Sequence, residues 1–391
     1  MKRKLSFLLV ICMLAGGVCT AFAEETTAVP IAEAAASPEL GAGCSSVLLM
    51  EKETGEVLYE KEADKKVPIA SVTKVMTILL VVEAIDSGRI QKTDVVTVSE
   101  NAAKKGGSQI YLEVGEQMSV HDLLKAVVVA SANDGAVALG EFLSGSETVF
   151  VEAMNHRAQQ LGLEVNFVNP TGLDDESCHV LSARDVAVIS RELISHEWIK
   201  EYTTIWMDSV REGAFGLTNT NRLVRFYEGT TGLKTGSTSK AKYCISATAK
   251  RGEMELIAVV LGGETSDRRF AAAKELFDYG FANYALHKPQ VGELENMQIY
   301  GGTADATSLA LQGGGLLVKK QDAQKISEEI VLPEYLIAPV ALGANVGEVI
   351  YRIDGQEIAR HAIVSVESVE RADIAFLFRR ILLLVFCGRV N

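Results

Sequence analysis

The chain has 391 residues, 48% hydrophobic and 23% charged, with a formal net charge of −13. That length allows two or three domains with a sizeable core, and the composition excludes a disordered or fibrous chain. The acidic balance argues against a nucleic-acid partner.

The N-terminus reads as a secretory signal. Lys2, Arg3 and Lys4 form a basic start, Leu5 to Val18 an apolar run, and Ala21-Phe22-Ala23 a small-residue cleavage site. A membrane anchor fits less well, because the apolar run is short and the cleavage pattern follows it. Residues 1–23 hold three of the 38 basic residues and no acidic one, so the mature chain carries 35 basic against 51 acidic residues, a net −16. Residues 24–38, rich in Ala, Thr, Glu and Pro, read as a linker. Cys12 and Cys19 leave with the signal. Cys44, Cys178, Cys244 and Cys387 are scattered without a CxxC pair, which indicates neither a zinc site nor a disulfide framework; one disulfide stays open.

Residues 39–287 have the mixed strand and helix texture of an α/β (α+β) domain. Ser45 to Glu51 and Glu56 to Lys61 flank Thr54-Gly55, a hairpin signal. Pro68 suits a helix entry, and the apolar run Val75 to Val82 follows. Thr93 to Ser99 is β-branched, Asn101 to Gln109 polar and loop-like. His121 to Phe142 is a long helical pattern interrupted at Ser131-Ala132-Asn133-Asp134-Gly135, polar residues that compete with a helix backbone. Thr148 to Leu161 is helical, Asn169-Pro170-Thr171-Gly172 a turn, and Ser182 an N-cap. Thr231 to Gly236, Tyr243 to Ala249 and Glu255 to Gly262 look like strands of one sheet, closed by a helix over Asp267 to Tyr284.

Residues 288–366 read as a small all-β domain, with strands at Leu316 to Lys319, Ile330 to Leu336, Val349 to Ile353 and Ile358 to Val364. It contains no constellation of nucleophile, base and metal ligand. In residues 367–391, Ile374 to Cys387 is too short to span a bilayer and suits a helix lying on a membrane surface, Arg379 and Arg380 at the headgroups. A helix docked on protein is the alternative.

The chemistry centres on Ser71-Val72-Thr73-Lys74. On a helix, i and i+3 share a face, so the Lys74 amine can activate the Ser71 hydroxyl as a nucleophile. Ser237 to Lys240 repeats the spacing, so the pair alone decides nothing. Two more fragments complete an acyl-transfer site. Ser131 can relay a proton to a leaving nitrogen, and Asn133 can bind a substrate peptide group. Lys234 and Thr235 suit a substrate carboxylate, and Lys234 is a cation able to depress the Lys74 pKa. Gly236 lets substrate backbone approach a strand edge, and the backbone N–H groups of Ser71 and Ser237 form an oxyanion hole. Ser99-Glu100-Asn101 also matches the second fragment. No metal or organic cofactor is required.

Ser-x-x-Lys, Ser-x-Asn and Lys-Thr-Gly in this order form the set of class A β-lactamases and penicillin-binding proteins. The chain resembles the low-molecular-mass penicillin-binding proteins that act as serine-type D-alanyl-D-alanine carboxypeptidases. The resemblance runs through Pro68 to Thr77, Ala130 to Asp134, Asn169 to Leu173, Ser182 to Asp185, Asn221 to Leu223 and Gly232 to Gly236, then Ala338-Pro339 and Gly343 to Gly347 of the β-rich part. It implies a penicillin-recognising fold, an antiparallel sheet flanked by helices, and an acyl-enzyme on Ser71 that is resolved by water. The implied substrate is a peptidoglycan stem peptide ending in D-Ala-D-Ala, outside the cytoplasm at the membrane, with β-lactams as acylating inhibitors. It also implies that Arg269, in Ser266-Asp267-Arg268-Arg269, helps bind the terminal carboxylate. Lys242 departs from the pattern, where glycine is usual.

A β-lactamase is the close rival. The glutamate of class A enzymes stands four residues before an asparagine, and here that place before Asn169 is Val165, with Glu164 one off. A Ser-His-Asp hydrolase has no G-x-S-x-G to support it. His121, His156, His179, His196, His287 and His361 read as ordinary surface or helix residues. A wall-binding protein without turnover is the remaining alternative, and three intact motifs argue against it.

Overall fold

In the computed structural model, residues 39–173, 179–288, 296–312 and 315–387 are described. The expected signal and linker, and Cys178, lie outside them.

Five strands form the central sheet: β1 (Ser46–Glu51), β2 (Val57–Lys61), β3 (Thr230–Thr238), β4 (Lys242–Arg251) and β5 (Met254–Gly263), in the order β2-β1-β5-β4-β3. Every neighbouring pair is antiparallel. Side chains alternate between faces along a strand, and the core divides accordingly. Leu48, Met50, Ile257, Val259 and Leu261 join one cluster, and Val47, Leu49, Leu256, Ala258 and Val260 the other. The second face is covered by the Ser266–Asn283 helix through Phe270, Ala273, Leu276 and Phe277. The first is covered by a helical layer containing Lys74–Asp86 and Ala183–Ser195.

The Lys74–Asp86 helix meets water mainly at its C-terminal end, where Glu83 is partly exposed and Asp86 exposed. Lys74, Val75, Met76, Ile78, Leu79, Val81 and Val82 are all buried, as expected of a helix apolar all round. Its only lysine is therefore carried into the core. The Ala183–Ser195 helix is amphipathic instead, and it begins with a full capping box between Ser182 and Asp185.

The structure sharpens one expectation, corrects two and adds one element. The His121–Phe142 run is two helices, Val120–Val129 and Asn133–Ser144, because Ser131 takes a left-handed backbone (φ 64°) between them. Asn101 to Gln109 does not begin as loop: Glu100–Ala103 makes one helical turn, capped by the Ser99 hydroxyl accepting from the Ala102 N–H. That cap accounts for the stray Ser99-Glu100-Asn101 match. Ile330 to Leu336 is not one strand. Ile326–Val331 stops short of Pro333 and Leu336–Ile337 starts afresh, since proline has no N–H for a ladder. A hairpin, Met207–Val210 with Phe215–Thr218, has no forerunner in the sequence reading. Arg211 and Glu212 take positive φ in its turn, ahead of Gly213.

The all-β part has a four-stranded sheet (Leu309–Leu311, Gln356–Ser365, Asn345–Ile353, Ile326–Val331) and a three-stranded one (Ala306–Thr307, Met297–Tyr300, Leu336–Ile337). Their cores are small, around Val349, Tyr351 and Ile363 and around Ile299, Ala338, Val340 and Val369. Ile374–Cys387 is a helix with Ile374, Phe378, Val385 and Phe386 exposed. Arg380 on it pairs with Asp305. Among the described residues no helix is long and apolar enough to cross a membrane.

Candidate active site

Ser71 sits in a 3-10 turn, Ala70–Thr73, that runs straight into the buried helix at Lys74. Ala70 enters the turn with φ 49°. The i, i+3 spacing holds: Lys74 Nζ lies 2.9 Å from Ser71 Oγ. The same amine reaches Asn133 Oδ1 at 2.5 Å and the Thr171 carbonyl at 2.9 Å. Lys74 is 0% exposed. Burial, then the nearby Lys234 charge, hold its pKa well below the usual lysine range, with Asp134 opposing. A neutral amine can accept a proton from Ser71.

Lys234, 1% exposed, donates to the Thr235 carbonyl at 2.9 Å. Burial and the Arg269 charge push its pKa down to about 7. Thr235 donates its hydroxyl to Thr220 at 2.7 Å. Asn133 is clamped through its own N–H to the Ser108 carbonyl (2.7 Å) and through Nδ2 to Gly106 (2.6 Å). Ser131 is 2% exposed, and its Oγ has no hydrogen-bond partner among the described residues. A buried hydroxyl left unpaired costs about 1–3 kcal/mol, so this one is poised for a group that arrives later.

Two glycines bring these parts together. A Cβ on Gly172, at φ 74°, would stand 1.9 Å from the Ala70 carbonyl oxygen. A Cβ on Gly236 would stand 2.8 Å from the Ser71 nitrogen and 2.7 Å from the Ile69 oxygen. Gly236 thus lets the site's own β3 abut the nucleophile turn, a closer approach than the substrate contact expected of it. β3 is also an edge strand, with Ser237 exposed at its end.

Arg268 and Arg269 separate clearly. Arg268 binds Glu275 twice at 2.8 Å. Arg269 turns inward, donating from Nη1 to the Gly236 carbonyl at 3.0 Å and the Cys244 carbonyl at 3.2 Å, while its Nε has no partner among the described residues. Burial lowers its pKa to about 10. Ser237 to Lys240 takes no helical form; its first two residues end β3.

Sequence reasoning missed three contributors. The Thr171 carbonyl is held at Lys74 by a turn in which Asn169 Oδ1 accepts from the N–H groups of Thr171 and Gly172. Asn221 Nδ2 donates to the Gly232 carbonyl at 2.9 Å, fastening β3. His179 is not a surface residue: it is buried, with Nε2 3.0 Å from Thr73 Oγ1. The Asn169 to Leu173 and Asn221 to Leu223 motifs were the available signal for the first two. Four residues before Asn169, the place of the class A β-lactamase glutamate, stands Val165. Glu164 is exposed, and the Asp134 carboxylate is taken by the N–H groups of Ile110, Leu112 and Gly135. No cluster of His, Cys, Asp and Glu among the described residues suits a metal ion. Cys44 and Cys244 are buried and not joined in a disulfide.

A serine beside a buried amine, an unpaired hydroxyl and a buried cation on a strand edge define a serine acyl-transfer enzyme of the penicillin-binding class. Residues 31–265 match the D-alanyl-D-alanine carboxypeptidase family, and residues 290–371 match the C-terminal domain of penicillin-binding protein 5. The chain belongs to the D-alanyl-D-alanine carboxypeptidase family. It is 38% identical to D-alanyl-D-alanine carboxypeptidase DacF of Bacillus subtilis (strain 168), over 97% of this chain and 98% of that one. Among solved structures it is similar to penicillin binding protein 5 from Haemophilus influenzae, with TM-score 0.70 and 32% identity over 86% of this chain and 99% of that one. It is likewise similar to ampicillin-bound penicillin-binding protein D2 from Listeria monocytogenes, with TM-score 0.57 and 35% identity over 62% and 100%. The chain is a serine-type carboxypeptidase.

Proposed function

We propose that this enzyme removes the terminal D-alanine from peptidoglycan stem pentapeptides through an acyl-enzyme on Ser71. The observation that carries the reading is the 2.9 Å approach of a buried, low-pKa Lys74 amine to the Ser71 hydroxyl. The D-Ala-D-Ala end lies along the β3 edge, its carboxylate at Lys234 and Thr235, with Arg269 adding positive charge behind the strand. A bound carboxylate favours the charged form of Lys234.

Neutral Lys74 takes the Ser71 proton as Oγ bonds to the scissile carbonyl carbon. The N–H groups of Ser71 and Ser237 hold the oxyanion. On collapse the C–N bond breaks, and the leaving amine takes the Ser131 proton, which Lys74 replaces. Water then attacks the ester, giving its proton to Lys74, which returns it to Ser71. Asn133 holds the substrate amide. Penicillin enters by the same first step. The ampicillin-bound and cefotaxime-bound D2 proteins support that inhibitor class, and Val165 at the place of the class A glutamate supports slow release.

Labelling with fluorescent penicillin, alongside D-alanine release from a pentapeptide, tests the assignment. Ser71→Ala is expected to abolish both while the protein stays folded; retained labelling would sink the nucleophile. The reading includes export across the membrane and attachment to its outer face through Ile374–Cys387. Truncation before Ile374 is expected to free the protein from membranes at unchanged activity, and a truncated form that still sediments with membranes refutes the anchor.

A further inference from the structure

We infer that Thr77 and Asn169 are positioning residues for the acyl transfer: they fix the Thr171 carbonyl so that the lone pair of a neutral Lys74 amine points at Ser71. The inference rests on the reading of Lys74 as the base for Ser71.

A neutral amine has two N–H donors and one lone pair. Lys74 Nζ has three neighbours: Asn133 Oδ1 at 2.5 Å, the Thr171 carbonyl at 2.9 Å and Ser71 Oγ at 2.9 Å. Asn133 gives its Nδ2 to the Gly106 carbonyl, so the atom it turns to the amine is an acceptor only. A backbone carbonyl is likewise an acceptor only. Of the three, Ser71 alone carries a proton to give. Both N–H groups are therefore spent on Asn133 and Thr171, and the lone pair is left for the Ser71 hydroxyl. On attack the Ser71 proton becomes the third N–H of Lys74 while Oγ bonds to the scissile carbon. Without the Thr171 carbonyl, the amine is free to swing an N–H onto Ser71 Oγ, which then faces a donor in place of a base.

That carbonyl is held from two sides. Thr77 stands three residues beyond Lys74 on the same helix, and its hydroxyl donates to the Pro170 carbonyl at 2.7 Å. Lys74 and Thr77, at i and i+3 on one helix face, thus grip two consecutive carbonyls. From the other side, Asn169 Oδ1 accepts from the Thr171 N–H at 3.0 Å, the Thr171 hydroxyl at 2.9 Å and the Gly172 N–H at 2.7 Å. Lys74, Thr77 and Thr171 are all buried, so solvent offers no ready substitute for a lost contact.

The test compares Thr77→Val, which keeps the shape and deletes the hydroxyl, with Thr77→Ser, which keeps the donor. Thr77→Val is expected to slow penicillin acylation and to lower kcat/KM for D-alanine release by one common factor, roughly 10- to 100-fold. Thr77→Ser is expected to restore both. Pentapeptide binding to Ser71→Ala, read by calorimetry, is expected to stay unchanged when Thr77→Val is added.

The sign of the pH effect separates positioning from loosening. The charges that act on Lys74, those of Lys234 and Asp134, are the same in every variant. A carbonyl that accepts from an amine favours its charged form. Loss of the Thr171 contact therefore lowers the Lys74 pKa and moves the acid limb of kcat/KM to lower pH. Loosening that admits water instead relieves the burial that holds this pKa down, and the limb moves up. Asn169→Ala, acting from the other side, is expected to give the same slowing in the same direction. An upward or unmoved limb, or no rescue by Thr77→Ser, overturns the inference. Titration of Lys74 by NMR of isotope-labelled lysine reads the same shift without turnover. A wild type that takes no penicillin label but shows that shift in Thr77→Val disproves the Ser71 reading and leaves the orientation of the amine standing.

Discussion

Two regions of the molecule carry the same apparent defect, a buried hydroxyl with no partner among the described residues. Ser131 lies two residues before Asn133, between two helices and on a strained backbone. Tyr351 Oη lies in the β-rich part, 0% exposed between the His287 and His361 rings. Ser131 belongs to a segment where polar groups converge: two residues on, the Asn133 amide oxygen joins the Ser71 hydroxyl and the Thr171 carbonyl at the Lys74 amine. Around Tyr351 stand two imidazole rings and the Glu328 carboxylate that pairs with His287, with no nucleophile and amine drawn together as at Ser71 and Lys74. Burial raises the Tyr351 pKa to about 12, and the side chain serves as an apolar body filling a small core. An unpaired polar atom signals function only where other reactive groups face it.

Substitutions can break that contrast. Ser131→Ala is expected to lower kcat for D-alanine release by about 10²–10⁴-fold, as loss of a proton relay does, with little change in melting temperature; a mutant that unfolds instead would make Ser131 structural. Lys234→Gln is expected to raise KM and to move the acid limb of the kcat/KM profile to higher pH. The neutral Lys74 amine is the active form, and the Lys234 charge helps keep its pKa low. Without that charge the pKa rises, and at a given pH more Lys74 is protonated and inactive. An unmoved limb would break the electrostatic link. Tyr351→Phe has the smallest expected effect, unchanged kinetics and a stability gain of about 1 kcal/mol from deleting an unpaired hydroxyl, read by thermal denaturation. Lost activity would place the β-rich part in the catalytic machinery.

What the sequence made legible follows the range of the interactions. The Thr54-Gly55 hairpin, the Ser182 cap and the Ile374–Cys387 helix are set by residues within a few positions of one another, and all appear. The Ser71–Lys74 approach is local too. The Thr171 carbonyl at Lys74, nearly a hundred residues away, is not, because a backbone oxygen has no letter of its own. His179 looked ordinary for the same reason: only the fold packs it against Thr73 and Phe167. The 207–218 hairpin escaped because its turn begins its left-handed bend at Arg211 and Glu212, where glycine or asparagine is usual, and only Gly213 after them advertises it. Lys242 follows suit. It stands at φ 56°, which accounts for the family's usual glycine there.

The contact at Gly236 bears on how such an enzyme can evade a drug. A side chain there would strike the amide of Ser71 itself, so narrowing the groove at its centre to keep out a bulky antibiotic also dislodges the nucleophile. Substitutions that exclude the drug and spare wall chemistry have to begin on the exposed rim, at a position such as Lys242. The centre of the groove is closed to that kind of adaptation by its own backbone.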